Sequence, residues 1–167
     1  MTFQDKTIEE IINDKEYPLI NVLNDVIDRI KKLSGEITEK RDDSSISYYI
    51  RNMNFATIIP EEDYVLIRIE MPYARIIDLS QACQVDYYKG KNGVDIINYH
   101  INSDFEKQYG ISLVRQAFTY FKRLKLSHLL FDKVSYMNKV NELVNKIKDS
   151  ELEKEKKERR KQKKDKN

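Results

Sequence analysis

The order of patterns along the chain predicts an α+β fold, in which helices are segregated from an antiparallel sheet. Apolar residues recur at helical spacing before Gly35, and again after Ser103. Between them, short segments rich in β-branched and aromatic residues alternate with turn-forming residues. The prediction is therefore N-terminal helices, an antiparallel meander of about five to six strands, and C-terminal helices that end in a long charged helix.

Two N-terminal helices are predicted. Thr7 precedes the segment IEEIIND, whose acidic first turn is typical of a short capped helix. In the next segment Pro18 suits a first helical turn, and Gly35 is expected to cap the C-terminal end. The apolar residues between them follow helical spacing: Leu19, Val22, Leu23, Val26, Ile27, Ile30 and Leu33.

The predicted strands are EITEK, ISYYIR, NFATII, DYVLIRIE, CQVDYY and VDIINYHI. In DYVLIRIE every second residue is Val or Ile, which indicates a half-buried strand with Arg68 and Glu70 on the wetter face. Pro60 to Asp63 is expected to form a hairpin connection. After the strands, Ser103 and Glu106 form a capping-box pair that opens a helix running to Leu124.

The chain is predicted to contain three parts: an α+β domain (1–124), an amphipathic helix (125–150) and a charged tail (151–167). The tail holds nine of the 30 Lys and Arg and five of the 28 Asp and Glu, which leaves residues 1–150 with a net charge of −2. The basic character therefore belongs to the tail, and composition argues against a polyanion-binding surface over the whole domain. We expect the tail to be solvated or disordered.

Composition also restricts location and chemistry. The single cysteine excludes an internal disulfide framework, and no apolar run approaches the ~20 residues that span a bilayer. A cytoplasmic protein without a membrane contact is expected. Cys83, His100 and His128 are the only Cys and His residues, and nothing near Cys83 would activate a thiol. Asp86, Asp95 and His100 make a poor metal set, so neither a catalytic residue nor a metal or cofactor is predicted.

The segment DYYKGKNG has two interpretations. Asn-Gly is a strong turn signal, which favours a plain hairpin tip. Alternatively, Lys89 and Lys91 with Tyr87 and Tyr88 could hold a phosphate or a base, because single-strand binders combine aromatic platforms with cations. The same combination of aromatic and basic residues occurs in YYIR and YFKRLK. For YYIR, the alternative interpretation is that its tyrosines are half-buried residues of the sheet. Further cations in the tail could contact DNA or RNA nonspecifically: Arg159, Arg160, Lys161, Lys163 and Lys164.

A second set of candidate residues lies on the predicted C-terminal helix. Apolar side chains there recur at steps of three and four residues, over a stretch too short to establish a coiled coil. The stripe could pack on the protein's own domain, join two copies of the chain, or dock a foreign partner. The predicted partner-facing residues are Leu130, Val134, Met137, Val140, Val144 and Ile147.

The motifs YYIRNMNFATIIP, DYVLIRIEMP, the glycine pair and LVRQAF also support a family resemblance. Over about residues 7–122 the chain resembles the uncharacterised domain at the C-terminus of many restriction-type and PD-(D/E)XK nucleases, loosely described as a predicted transport protein. The matching residues are Asn54, Phe55, Pro60, Gly90, Gly93, Asp95, Leu113, Val114 and Phe118. The His and Trp that the family has between its glycines are replaced by Lys91 and Asn92.

The resemblance implies a noncatalytic accessory or recognition module in a defence or restriction system. Together with the basic and aromatic segments, it makes a nucleic-acid-associated module the first hypothesis. The alternative is a protein-interaction module that self-associates or docks a partner through the helix at 126–148. An enzyme acting on a small molecule ranks third.

Overall fold

The computed structural model of the chain describes the backbone of residues 2–124 and 133–165, and the side chains of residues 2–124 and 139–164. The chain divides into two compact units, Met1–Leu124 and Lys125–Asn167. Within the described residues, the first unit contains all the strands and three helices, and the second contains one helix.

The first unit has the predicted α+β class, with helices at both ends of its sequence and strands between them. Its helices are α1 (Ile8–Ile12), α2 (Ile20–Lys31) and α3 (Asp104–Arg123). Its strands are β1 (Thr38–Arg41), β2 (Ile46–Ile50), β3 (Met53–Pro60), β4 (Val65–Glu70), β5 (Gln84–Asp86) and β6 (Ile96–Ile101). Short 3-10 turns occur at Phe3–Asp5, Tyr73–Arg75 and Lys91–Gly93.

The helix ends agree only partly with the sequence signals. At α1 the Thr7 hydroxyl accepts a hydrogen bond from the Glu10 backbone N–H, and the Glu10 carboxylate accepts one from the Thr7 N–H, which is a complete capping box. The predicted glycine cap of α2 is wrong. The helix ends at Lys31, and Gly35 lacks the positive φ that such a cap requires.

All six strands pair antiparallel, in the order β1-β2-β3-β4-β6-β5. The first four follow the chain as a meander. The 13-residue connection 71–83 then leads to β5, which does not pair with β4. Strand β6 pairs with β4 instead, and β5 pairs with the other side of β6 as the edge strand.

Helix α3 packs on one face of this sheet, and Gly110 permits the close approach. A Cβ atom at position 110 would lie 2.8 Å from the Cδ1 atom of Ile101 and 2.9 Å from that of Ile67, closer than side-chain carbons can pack. The glycine that weakens helix propensity is therefore required by the contact with β4 and β6.

The two faces of the sheet differ in character. Tyr48 on the helix-covered face is fully buried, whereas its neighbour Tyr49 is only partly buried. On the opposite face the Arg68 Nε donates to the Asn98 side-chain oxygen at 3.1 Å, and the His100 ring stacks on Tyr64 with centroids 4.2 Å apart. Alternation along the strands thus separates an apolar core from a polar face.

The described helix of the second unit is α4 (Lys133–Asp165). Its side chains from 141 to 164 are exposed, including those of the charged segment from 151 onward. None of the helices in residues 2–124 and 133–165 combines the length and the apolar character that crossing a bilayer requires.

Candidate functional site

A cavity of about 530 Å³ lies between α3 and the segment that follows β4. Arg115, Thr119 and Arg123 are four residues apart on α3 and therefore project from one side of the helix. Arg75 and Ile77 contribute from the segment after β4. We call this cavity the arginine pocket, and its lining residues are Arg75, Ile77, Arg115, Gln116, Thr119, Tyr120, Arg123 and Leu124.

The charge of the arginine pocket has one sign. Among the described residues that line it, three are arginines and none carries a carboxylate. Among residues 2–124, the ion pairs involve Lys6, Lys31, Lys32, Arg41 and Lys107 as cations, and none involves an arginine of the pocket. Guanidinium groups without a protein counter-ion are well suited to bind an anion, because each presents N–H donors in a planar fork.

One wall of the pocket is held in place by Gln116. Its side-chain oxygen accepts a hydrogen bond from the Ile77 N–H at 2.7 Å, and its amide nitrogen donates to the Ile77 carbonyl at 3.1 Å. Both backbone groups of Ile77 are thereby satisfied by a side chain of α3, while the Ile77 side chain remains 66% exposed. The segment that carries Arg75 is therefore fastened to the helix that carries Arg115 and Arg123.

Asp78, which lies in the same segment, holds it in place through four hydrogen bonds. Its carboxylate accepts hydrogen bonds from the Tyr73 hydroxyl (2.8 Å), the Tyr109 hydroxyl, and the backbone N–H groups of Ala82 and Cys83 (both 3.1 Å). Burial favours a higher pKa for Asp78, but these hydrogen bonds outweigh it and lower the pKa to about 2. The carboxylate is thus ionised at neutral pH, with its charge engaged by hydroxyl and amide donors.

The single cysteine shows no sign of activation. Burial, together with the negative charge of Asp78, raises the pKa of the half-buried Cys83 thiol to about 12, so the thiol is protonated at neutral pH. In the described parts of the chain, no three His, Cys, Asp or Glu side chains are grouped closely enough to hold a metal ion. His128 lies outside the described residues.

The segment DYYKGKNG lies in the connection between the antiparallel strands β5 and β6. The Asn92 and Gly93 φ angles are 60° and 77°, and the Val94 N–H donates to the Lys91 carbonyl at 3.3 Å, as in a type I′ turn. The connection is nevertheless longer than a two-residue hairpin, because pairing stops at Asp86 and resumes at Ile96. We call residues 87–93 the tyrosine loop.

Gly90 closes the base of the tyrosine loop. Its N–H donates to the Val94 carbonyl at 2.7 Å, and a Cβ atom at position 90 would lie 3.0 Å from that carbonyl oxygen. Glycine is therefore favoured here for space rather than for an unusual φ, which is −81°. The four side chains of the loop that the sequence predicted as a binding site are all exposed: Tyr87, Tyr88, Lys89 and Lys91.

Asp95 joins the tyrosine loop to the segment that carries Arg75. The side chain is buried, and its two oxygens accept hydrogen bonds from the Tyr73 N–H (2.8 Å) and the Tyr88 N–H (3.0 Å). Glu70, Ile96 and Asp86 are in register across three strands, so both segments leave the sheet at the same end. The loop and the arginine pocket therefore belong to one end of the unit.

The predicted residues of the C-terminal helix lie elsewhere, in the second unit. The tail cations Arg159, Arg160, Lys161, Lys163 and Lys164 are exposed on α4. In the predicted stripe, Val140 is partly exposed, and Val144 and Ile147 are 41% and 60% exposed. Leu130 lies outside the described residues, and so do the side chains of Val134 and Met137.

The sequence-based prediction did not select Arg75 or Arg115 as site residues, and it included Arg123 only within the segment YFKRLK. Arg115 and Arg123 are eight residues apart with Tyr120 between them, a spacing that places them on one side of a predicted helix. Arg75 carries no comparable signal, because it follows a strand in a segment without periodicity. Its position beside α3 depends on the contacts of Asp78, Asp95 and Gln116.

Comparison with known proteins identifies the family of the chain but not its activity. No curated protein and no solved structure matches the chain significantly. A family model described as a domain of unknown function (DUF5655) matches residues 8–120. That range contains every strand of the sheet, the tyrosine loop and most of α3. The chain therefore belongs to the DUF5655 family.

Proposed function

We propose that the unit of residues 2–124 is a noncatalytic module that binds nucleic acid through its phosphates, with the arginine pocket as the main contact. The observation that carries this proposal is the presence of three arginines and no carboxylate among the described lining residues of one cavity. Guanidinium groups bind phosphate oxygens through paired, charge-assisted hydrogen bonds. The three arginines are exposed, so solvent and salt screen their mutual repulsion, and an anion bound among them would be attracted by each.

The size of the cavity and its surroundings fit a polyanion. A volume of about 530 Å³ falls within the range of roughly 300–1,000 Å³ that small-molecule sites occupy, which leaves room for a phosphate with its sugar. Lys89 and Lys91 are exposed on the tyrosine loop at the same end of the unit. The tail cations add contacts that do not depend on sequence or on the fold of the first unit.

An accessory role beside a restriction-type nuclease or another defence enzyme is the biological setting that we propose for this module. It rests on the resemblance of residues 7–122 and stays a prediction. The high pKa of the Cys83 thiol supports the noncatalytic part of the proposal, since it argues against a thiolate nucleophile.

Fluorescence anisotropy with labelled single-stranded and duplex oligonucleotides, repeated at rising salt, tests the proposal. We expect Arg115→Ala/Arg123→Ala to weaken binding about tenfold. The slope of log K against log salt should become shallower by about 0.7 for each phosphate of a single strand that the variant no longer neutralises. The wild-type slope should be clearly negative.

The matched control is Lys15→Ala/Lys40→Ala, which removes the same charge from two exposed positions outside the pocket. We expect it to change affinity less than twofold. Absence of binding by the wild type, or equal losses in the two double variants, would contradict the arginine pocket as a phosphate site.

A second candidate function is protein interaction through α4, and one observation favours it. Leu143, Val144 and Ile147 form an exposed apolar cluster with exposed fractions of 61%, 41% and 60%, which is unusual in a helix that is otherwise highly charged. The proposed partner is a second copy of the chain or a foreign protein.

Sedimentation velocity separates these possibilities. If the wild type self-associates, Val140→Glu/Val144→Glu should reduce it to a folded monomer, because the charges would face each other across the interface. The control Asn141→Glu/Asn145→Glu places the same charges at exposed polar positions of α4 and should leave the mass unchanged. A wild type that is monomeric at high micromolar concentration would exclude self-association.

A further inference from the structure

The backbone of Tyr88 adopts a conformation that aromatic residues rarely adopt. Its φ angle is 63°, in the left-handed region, yet its side chain is 79% exposed. A bulky residue in this region is strained, and such strain persists only where the surrounding structure imposes it. The exposed side chain buries little apolar surface in return, so folding alone does not explain why this position is a tyrosine.

Asp95 imposes the conformation. The Tyr88 N–H donates to one oxygen of the buried Asp95 carboxylate at 3.0 Å, and the other oxygen holds the Tyr73 N–H at 2.8 Å. A second constraint is the Gly90 N–H, which donates to the Val94 carbonyl at 2.7 Å directly before Asp95. The loop is therefore fastened on both sides of Tyr88.

The neighbouring rings leave Tyr88 outermost. The Tyr87 ring packs edge-on against Tyr73, with centroids 6.3 Å apart and an interplanar angle of 84°. The Tyr88 ring lies 6.4 Å from that of Tyr87, tilted by 49°. Tyr87 thus packs against the fold, whereas Tyr88 extends from it as a solvent-exposed aromatic ring on a backbone held by hydrogen bonds, next in sequence to the exposed Lys89.

We infer that Tyr88 is a platform on which an unpaired base stacks, and that the ligand of this module is single-stranded nucleic acid. This inference rests on the proposed function and narrows its substrate class. In a duplex the faces of the bases are occupied by their neighbours, whereas single-strand binders offer aromatic rings to unstacked bases beside a cationic track.

The connection through Asp95 makes the platform and the arginine pocket parts of one site. Arg75 follows Tyr73 by two residues, which is at most about 7 Å of chain, and Tyr73 shares the Asp95 carboxylate with Tyr88. A strand with a phosphate in the pocket would therefore pass close to the loop that presents the platform, where one of its bases stacks on Tyr88.

The test uses fluorescence anisotropy of the full chain with three probes: a 12-nucleotide single strand, its duplex, and a 12-unit abasic strand with the same phosphates. Stacking contributes roughly 1–3 kcal/mol per base, which corresponds to a decrease of about 5- to 150-fold in single-strand affinity for Tyr88→Gly. The same variant should raise the melting temperature, because glycine adopts a positive φ without strain. Tyr88→Phe should retain the affinity.

The abasic strand distinguishes base stacking from phosphate binding. We expect Tyr88→Gly and the wild type to bind it equally, and the wild type to prefer the normal single strand over both other probes. The control Tyr64→Gly removes a ring at the β3–β4 connection, the opposite end of β4, and should leave affinity unchanged if the protein is folded.

Two failures can be told apart. If the wild type binds none of the three probes, the proposed function and this inference both fall. If it binds all three equally and Tyr88→Gly binds as the wild type does, nucleic-acid binding stands but the stacking platform is wrong.

Discussion

The arginine pocket and the charged tail are both rich in cations, but they are built in opposite ways. The tail carries nine Lys and Arg within 17 residues, interspersed with five Asp and Glu. The described lining of the pocket has three arginines, from positions 75, 115 and 123, and no carboxylate. In the tail, charges of both signs lie within a turn of one another, so much of the field cancels locally.

This difference shows that the density of cations along a sequence is a poor guide to where an anion will bind. What distinguishes the pocket is that its described lining contains three arginines and no carboxylate, together with side chains whose backbone positions are fixed. The pocket therefore depends on the fold of residues 2–124, whereas the charge of the tail depends only on its sequence. Changes that affect the two regions separately can test this contrast.

The largest expected effect is that of Gly110→Val. A Cβ atom there would lie within 3 Å of the terminal Cδ1 atoms of Ile101 and Ile67, so these buried side chains or α3 must shift, at a cost of about 2–3 kcal/mol in the free energy of unfolding. Because α3 carries two arginines of the pocket, oligonucleotide binding should also fall towards the level that the tail alone supports.

Urea denaturation measures the first effect and anisotropy the second. Gly35→Val is the matched control, since nothing lies within 4 Å of a Cβ atom at position 35, and it should change stability by less than about 0.5 kcal/mol. A destabilisation below about 1 kcal/mol for Gly110→Val would mean that α3 does not depend on this close approach.

A smaller effect is expected from Asp78→Ala, which removes the acceptor for two tyrosine hydroxyls and two backbone N–H groups beside the pocket. Hydrogen bonds to a charged group contribute roughly 1.5–3 kcal/mol, so we expect a destabilisation of about 2 kcal/mol at pH 7. The exposed Asp63→Ala serves as the control and should be nearly neutral.

The Asp78 effect should depend on pH. The ordinary pKa of the carboxyl is 3.8, and in the folded protein it is lowered to about 2, so the folded state binds the proton less readily than the unfolded state. The stabilisation is therefore complete above about pH 5 and is lost progressively as the pH falls through 3.8 towards 2. A stability difference between wild type and Asp78→Ala that is constant from pH 7 to pH 2 would contradict this.

The smallest effect on stability is expected from deletion of residues 151–167. The described side chains of this segment are exposed, so the segment buries little apolar surface, and the melting temperature should change by no more than about 2 °C. Oligonucleotide binding should nevertheless weaken severalfold and become less dependent on salt. Scanning calorimetry measures the first quantity, and a drop of more than a few degrees would show that the tail contributes to the folded body.

Much of the fold could be predicted because its signals are local. Alternation in DYVLIRIE predicted β4, and Ser103 marked the start of α3, where its hydroxyl accepts a hydrogen bond from the Glu106 N–H. The predicted capping box is only half formed, because the Glu106 carboxylate accepts from the Asn102 N–H rather than from that of Ser103. Gly35 failed as a cap because α2 ends at Lys31 and Gly35 lies three residues beyond the actual C-cap, Lys32. The place of β6 between β4 and β5 was not predictable, since strand order depends on how a long connection crosses the end of the sheet.

The candidate site likewise combines features that neighbouring residues determine with features that depend on the tertiary structure. The sequence by itself determined the α+β class, the turn at Asn92 and Gly93, and the aromatic and basic character of the tyrosine loop, because these properties depend on neighbouring residues. Only the tertiary structure placed Arg75 beside Arg115 and Arg123, and attached Tyr73 and Tyr88 to one carboxylate at Asp95. These contacts join residues up to 48 positions apart, and no local preference encodes them: they form when packing of α3 on the sheet brings the segments together.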